Sequence, residues 1–198
     1  TQIAPPVDAE QFEFGVKWQP RSDLVVTLAA FQIDRGLEFL DTADNVFKQD
    51  GLQRHRGVDL IFSGAVTDDL RLLGGFAFLD ADIVEAGEMA FNGSTPRNAP
   101  KFSASLYAEY ALPISGLFVN ASIEHKSEQQ VDIPNLRTID NFTRIDIGGR
   151  YEFEFRNTHI RMTANIQNIT DKNYWASYDQ GLVLGEPRTF NFGFDIRF

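Results

Sequence analysis

Apolar and polar residues alternate with period two over six stretches of the chain. Phe12, Phe14, Val16 and Trp18 interleave with Glu13, Gly15 and Lys17. Phe102, Ala104, Leu106, Ala108 and Tyr110 interleave with Ser103, Ser105, Tyr107 and Glu109, and Leu117, Val119, Ala121 and Ile123 with Phe118, Asn120, Ser122 and Glu124. Ile145, Ile147, Gly149, Tyr151 and Phe153 alternate with Asp146, Gly148, Arg150 and Glu152. Ile160, Met162, Ala164 and Ile166 do so with Arg161, Thr163, Asn165 and Gln167. The last run sets Phe190, Phe192, Phe194, Ile196 and Phe198 against Thr189, Asn191, Gly193, Asp195 and Arg197. A strand sends successive side chains to opposite faces, so each run predicts a strand with one apolar and one polar face. Three further segments, 24–41, 46–66 and 70–83, alternate less cleanly, with breaks such as Val25-Val26, Ala29-Ala30 and Leu72-Leu73. Their β-branched and aromatic content and their bounding turns still predict strands. No segment sustains helical spacing over three turns. The expectation is an all-β, antiparallel, up-and-down meander of about nine strands, part of a β-barrel or closing as one.

The connections alternate in length. Those at 20–23, 67–69, 113–116 and 156–158 are short, whereas 84–100, 130–141 and 170–187 are long. The exception, 42–45, reads as a tight tip between two long strands. Short turns at one end and long loops at the other are the asymmetry of bacterial outer-membrane barrels.

Alternation alone does not separate lipid from water, because a soluble β-sandwich with one wet face per sheet also alternates. Three features favour lipid. The stripe from Phe190 to Phe198 spans about 30 Å of strand, which when tilted covers a height near the roughly 25 Å apolar band of such barrels. Aromatic residues of the apolar face, Trp18, Tyr110, Tyr151, Phe153 and Phe198, sit beside the short turns, where an aromatic girdle belongs. The opposite face carries Asp146, Arg150, Glu152, Arg161, Asp195 and Arg197, which a polar lumen tolerates and a packed core does not.

Composition narrows the choice. The chain has 198 residues and 18 Phe against 5 Tyr and 2 Trp, and Phe, lacking a polar handle, belongs in a core or against lipid. The absence of Cys excludes a disulfide scaffold, a thiolate metal site and a Cys nucleophile. The net charge of −10 argues against nucleic acid as a partner. No run approaches the apolar length of a spanning helix. The first residues show no basic segment followed by an apolar one, so no signal peptide is expected in the chain.

Four motifs carry a more specific message. Gln53-Arg54-His55-Arg56-Gly57-Val58-Asp59-Leu60 resembles the R-x-x-G-V-E-L segment of TonB-dependent siderophore receptors, with Asp59 where Glu is commoner. Pro96-Arg97-Asn98-Ala99-Pro100-Lys101 is similar to their N-x-P-x-H/K approach to the next strand. The segment from Asn165 to Tyr174, with Asn168, Asp171 and Lys172, resembles their N-L-x-N-L-F-D-K-x-Y signature. Gly185-Glu186-Pro187-Arg188, followed by a strand ending in Phe198, is similar to their G-x-P-R and terminal strand. The motifs occur in the family's order and cover residues 10–198.

The resemblance implies an N-terminal plug inside a 22-stranded barrel in the cell outer membrane. On that basis residues 1–198 correspond to the C-terminal segment of the barrel, strands 14 to 22. The plug, its TonB-contacting box and the first strands are then expected to be absent. It implies uptake of ferric siderophores or similar iron chelates, driven by the TonB complex through the missing plug, with the barrel wall and loops contributing to ligand binding and no catalytic residues or cofactors. A soluble carbohydrate-binding or adhesive β-sandwich or barrel stays open as an alternative, as does an outer-membrane barrel enzyme, disfavoured because no nucleophile constellation is present.

Candidate ligand-binding residues lie on the long-loop side. Tyr174, Trp175 and Tyr178 cluster in the last long loop, where flat rings form either an upper girdle or a stacking surface for an aromatic or iron-chelate ligand. Arg97 and Arg188 suit an anionic ferric chelate or pairing with Glu85, Glu88 or Glu186. The three His, at 55, 125 and 159, lack ligand spacing. Asp80 and Asp82 share a face and read either as a solvated rim or as an acid–base or Ca²⁺ pair. Asn165, Asn168 and Asp171 read as ties between a strand end and its loop. A nine-stranded piece has two open edges, so the chain is expected to close on itself, pair edges with another copy, or fold its apolar face inward.

Overall fold

The structure, a computed structural model, describes residues 6–41, 45–87, 91–178 and 181–197. Among these residues the regular structure is thirteen strands: β1 (Ala9–Arg21), β2 (Leu24–Asp41), β3 (Val46–Ala65), β4 (Leu70–Glu85), β5 (Phe102–Ala111), β6 (Leu117–Lys126), β7 (Gln129–Gln130), β8 (Thr138–Ile139), β9 (Phe142–Phe155), β10 (Thr158–Gln167), β11 (Trp175–Tyr178), β12 (Gly181–Leu184) and β13 (Thr189–Arg197). Nine of them form one sheet in the order β1-β2-β3-β4-β5-β6-β9-β10-β13, every pair antiparallel. The meander of nine strands is as expected. The additional strands form two small hairpins, β7–β8 and β11–β12, inside long connections that the sequence reading left as loops. They escaped notice because two to four residues are too few to show a period.

Turn chemistry explains the tight end. Arg156 and Asn157 both have positive φ (50° and 62°) between the paired residues Phe155 and Thr158. That is a two-residue type I′ hairpin, whose twist matches that of the flanking strands. At 67–69 the Thr67 hydroxyl accepts hydrogen bonds from the amides of Asp69 and Leu70, at 3.3 and 3.0 Å. The expected tip at 42–45 lies, apart from Asn45, outside the described residues, as does Phe198.

The register confirms which side chains share a face. Phe190, Phe192, Phe194 and Ile196 stand opposite Ile166, Ala164, Met162 and Ile160, whereas Asn191, Asp195 and Arg197 stand opposite Asn165, Arg161 and His159. The apolar face continues across the sheet through Tyr151 and Leu117, Val119 and Tyr110, Leu106, and Val26 beside Trp18. The sheet is single and open. Among the described residues it does not close on itself, it does not fold its apolar face inward, and it has no second large sheet packed on it as a β-sandwich requires. β1 and β13 each pair on one side only, and Phe14 and Phe192 remain 80% and 82% exposed.

Simple alternation is departed from in two ways on β2, β3 and β4, and the first follows from their length. At 18, 20 and 16 residues they exceed the roughly 9–11 needed to cross a hydrocarbon layer. The apolar face therefore ends part-way along them. Beyond Phe12, Ala30, Val58 and Phe78 the same face carries Gln32, Arg56 and Asp80, then Asp34, Arg54 and Asp82. Arg54 donates Nε–H and Nη2–H to the two carboxylate oxygens of Asp34, at 2.7 and 2.6 Å, and Arg56 donates to Gln32 at 2.9 Å. Asp80 and Asp82 thus face outward opposite Arg56 and Arg54. The other face is not uniformly polar on these strands: Val25, Ala29, Phe31 and Ile33 of β2 lie there with Ile61, Leu73 and Ile83. Gly57 leaves room for the Phe31 ring, since a Cβ there would approach the ring to 2.5 Å.

From β5 onward the polar face carries a ladder of charges. Arg150 donates to Glu109 at 2.9 and 3.2 Å and to Glu152 at 2.6 Å, and Arg161 donates to Glu152 at 2.7 Å. The Arg150 guanidinium also lies 3.8 Å from the centre of the Phe118 ring. These partners come from four different strands, so the ladder holds the polar face together across the sheet.

The 198 residues hold no Cys, so in a background cleared of any Cys elsewhere the face assignment is directly measurable. In the full-length protein, single-Cys variants at Phe14 and Phe192 should react with a membrane-confined maleimide and resist a water-soluble one. Variants at Thr163 and Asn191 should do the opposite. Equal reactivity at the two faces would contradict a lipid-facing wall.

Candidate ligand-binding site

The long connections gather at one end of the sheet and are tied down by buried polar groups. The last of them is held by Asn168, which is fully buried and has φ +49°. Its amide group donates to the carbonyls of Lys172 and Glu186 at 3.0 and 2.9 Å, and its oxygen accepts from the Lys172 amide at 2.9 Å. Its own backbone N–H donates to Asp146 Oδ1 at 2.8 Å. Asp146 accepts from Ser122 at 3.0 Å and pairs with Arg144 at 3.3 Å, and Arg144 also pairs with Glu124 at 3.3 Å. One residue therefore joins both ends of the 168–188 connection, through its side chain, to the charged face of β6 and β9, through its backbone N–H. A buried polar group is tolerated when every donor and acceptor is used. The reading of Asn168 as a tie is supported by these bonds.

The other two long connections are tied to each other. Asn135, at φ +56°, accepts from the Thr95 amide at 2.8 Å and donates to the Thr95 carbonyl at 2.9 Å. The Asn98 amide donates to the Gln130 carbonyl at 3.2 Å. Pro96, Ala99, Gln129 and Ile139 are buried around this junction, beside Ile83 of β4 and Phe142 of β9. Sequence reasoning missed Asn135. Its signal was the Pro134-Asn135 pair, a dipeptide that favours turns.

The five residues singled out from the sequence take different positions. Tyr174 stacks on buried Phe142, ring centres 4.2 Å apart and 19° from parallel, and covers Gly185, where a Cβ would meet the ring. Trp175 is half exposed in β11 opposite Leu184. Tyr178 has its backbone opposite Gly181; its side chain lies outside the described residues. Arg188 pairs with Asp171 at 2.7 Å. Arg97 is exposed and helps line a cavity of about 570 Å³ on the polar face, with Arg35, Glu38, Gln53, Asn98 and Ile83. None of the other four lines that cavity. Arg35 and Gln53 were missed, although Arg35 continues the polar-face phase of Phe31 and Ile33. Among the described residues no group of three or more His, Cys, Asp or Glu side chains could hold a metal ion.

The electrostatics at this end are local. His55, on the polar face next to Gln53, is lowered below its ordinary pKa by burial and further by the Arg35 guanidinium. The Arg54 hydrogen bond holds the Asp34 carboxyl below its ordinary value, and Arg188 does the same for Asp171.

Comparison with known proteins fits this architecture. Residues 4–169 match the family described as TonB dependent receptor-like, beta-barrel. The chain belongs to this family. It is 30% identical over its whole length to the ferrichrome receptor FcuA of Yersinia enterocolitica, of which it covers 26%. Among solved structures it is similar to BauA, the ferric preacinetobactin receptor of Acinetobacter baumannii, with a TM-score of 0.87, 32% identity, and coverage of 96% of this chain and 29% of that one. It is also similar to Fiu, the ferric-catecholate import receptor of E. coli K12, with a TM-score of 0.76, 25% identity, and coverage of 95% and 27%. The chain thus spans about a quarter of the length of these relatives. As a TonB-dependent receptor barrel segment it lies in the outer membrane, with the face of Phe190–Ile196 toward lipid and the face of Arg150 and Glu152 toward the barrel interior.

Two tests address the anchors. Asn168→Ala in the full-length receptor should lose about 1–3 kcal/mol of stability from the groups left unsatisfied. Asn168→Gly should lose less by about 1 kcal/mol, because glycine accepts the positive φ. Thermal or denaturant unfolding reads both, and equal losses would show that φ is unimportant here. The second test is pH. Asp171 has a depressed pKa in the folded state, so its pairing stabilises the loop fully above the ordinary carboxyl value of 3.8 and loses that effect as the pH falls through the lower folded value. The difference in loop stability between wild type and Asp171→Asn, read by fluorescence in a background where Trp175 is the sole Trp, should stay constant above about pH 5 and shrink only below about pH 4. A difference that vanishes already between about pH 7 and pH 6 would contradict the pair's role.

Proposed function

We propose that this chain is a wall and loop segment of an outer-membrane receptor that takes up ferric siderophores or similar iron chelates with energy from the TonB complex. The observation that carries this reading is the combination of a lipid-facing sheet, a charged interior face and anchored long loops with relatives whose names are those of ferric-siderophore receptors. In the whole receptor the segment corresponds to the C-terminal part of the barrel, and a plug held within it is the part that answers TonB. The protein acts as a transport receptor and not as an enzyme. The segment's share of the work is passive: it excludes lipid, lines the passage and presents side chains at the loop end. Arg97, in the cavity of the polar face, is the sequence-derived candidate best placed to touch a ligand. Tyr174 and Arg188 serve the loop's own structure, and Trp175 offers an exposed ring.

Deleting the gene should abolish accumulation of radioactive iron from at least one ferric chelate in iron-starved cells. Complementation should restore it only while the TonB system is intact. Uptake from a broad panel of ferric chelates that is unchanged by deletion would overturn the proposal.

A further inference from the structure

The lipid-facing side of the sheet is hollowed across β9, β10 and β13. Two adjacent rows of the ladder cross it there, Tyr151-Met162-Phe194 and Gly149-Ala164-Phe192. Gly149 has no side chain and Ala164 only a methyl group, so among their larger neighbours they leave a notch of about 670 Å³. The outward side chains that line it are apolar apart from the Tyr151 hydroxyl. Lipid chains are the solvent of this face, so the notch continues an interface the fold already makes. A charge lies at the near membrane boundary. The short turns at 20–23, 67–69, 113–116 and 156–158 hold two basic residues, Arg21 and Arg156. Arg21 pairs with Asp68 at 2.9 Å and Asp23 at 3.5 Å, whereas among the described residues Arg156 has no carboxylate within ion-pair distance. The Arg156 guanidinium lies 5.3 Å from the centre of the Phe155 ring, which is 57% exposed on the lipid side. An arginine placed in this way keeps its charge in the headgroup layer and rests on apolar surface. The row of outward side chains between Phe155 and the notch is Phe153, Ile160 and Ile196, none of them charged. The Phe153 ring stacks on Tyr151, centres 5.1 Å apart, and makes a continuous aromatic ridge toward the notch.

We propose that this strip binds one anionic phospholipid of the leaflet on the short-turn side, with its phosphate on Arg156 and an acyl chain running over Phe153 and Tyr151 to end in the Gly149–Ala164 notch. The inference goes beyond the transport reading and rests only on the outer-membrane placement of the sheet. The dimensions agree. From the middle of the notch to Arg156 is about 20 Å of strand at roughly 3.4 Å per residue, or about 16 Å of depth at the roughly 40° tilt of such barrels. One leaflet is half of a hydrocarbon core about 30 Å thick. A chain whose phosphate sits at Arg156 therefore reaches the notch with its far end. A guanidinium matches phosphate oxygens with paired N–H donors. A zwitterionic phospholipid offers the same phosphate and chains but adds an ammonium group that Arg156 repels, so the net charge of the headgroup sets the preference.

The test uses the full-length receptor in lipid vesicles that carry a trace of phosphatidylglycerol or of phosphatidylethanolamine, each with a photoactivatable group at the end of one acyl chain. Crosslinked peptides are mapped by mass spectrometry. In wild type, labelling of the peptides that hold Gly149, Ala164 and Phe192 should be at least about fivefold stronger with phosphatidylglycerol. Arg156→Gln should bring that ratio to about one. Ala164→Trp, which fills the notch, should cut phosphatidylglycerol labelling there about fivefold and leave labelling around Phe14 unchanged. Equal labelling by the two probes in wild type, a preference that survives in folded Arg156→Gln, or undiminished labelling in folded Ala164→Trp would each overturn the inference and leave the uptake reading intact. The wild-type comparison needs no variant to fold.

Discussion

Hydrocarbon offers no partner for a peptide N–H or C=O, and this constraint governs the whole molecule. Each unsatisfied group costs several kcal/mol there, so the backbone must pair with itself completely. A continuous antiparallel ladder meets the demand from β2 through β10, and period-two alternation follows because such a ladder has two faces in different solvents. Lipid contacts Phe14, Phe78 and Phe192, while the interior accepts Glu109, Arg150 and Glu152. Among the described residues the nine-stranded sheet has two open edges, β1 and β13. A wall of this kind is complete only when further strands lie against both of them.

The constraint ends where lipid ends, and the structure changes character at that height. On β2 to β4 the outward face becomes polar at Gln32, Arg56 and Asp80, and side chains there pair with one another. Beyond it the β2–β4 ladder runs on, and the long connections beside it depend on buried polar ties. Asn168 and Asn135 each satisfy several backbone groups that a loop would otherwise leave unpaired, and each occupies a left-handed conformation that Asn tolerates well. The long loops are consequently braced, and the cavity carrying Arg35 and Arg97 has walls that hold its shape.

The family motifs acquire a physical meaning in this light. In the segment from Arg54 to Leu60, Arg54 and Arg56 stand just outside the lipid band and Gly57 admits the Phe31 ring on the other face. In the segment from Asn165 to Tyr174 the critical group is Asn168, and Gly185 of the next motif is the floor beneath the Tyr174 ring. These residues build the frame on which ligand-binding side chains can vary.

Alternation and turn chemistry were enough, from the sequence by itself, to determine nine antiparallel strands, their order, the apolar stripe and the short-turn and long-loop ends, because each depends on local spacing of one or two residues. The role of Asn168 was legible for the same reason, since its position at a strand end is a local feature. The cavity was not legible. Arg35, Gln53 and Arg97 come together only because β2, β3 and a loop more than forty residues away in sequence fold to one end of one face. The assignment of Tyr174 and Arg188 to the loop's own support also needed tertiary structure, because Phe142, Gly185 and Asp171 become their partners only after the 168–188 connection folds back on β9. Side-chain partners across long sequence separations are set by packing, and no local period records them.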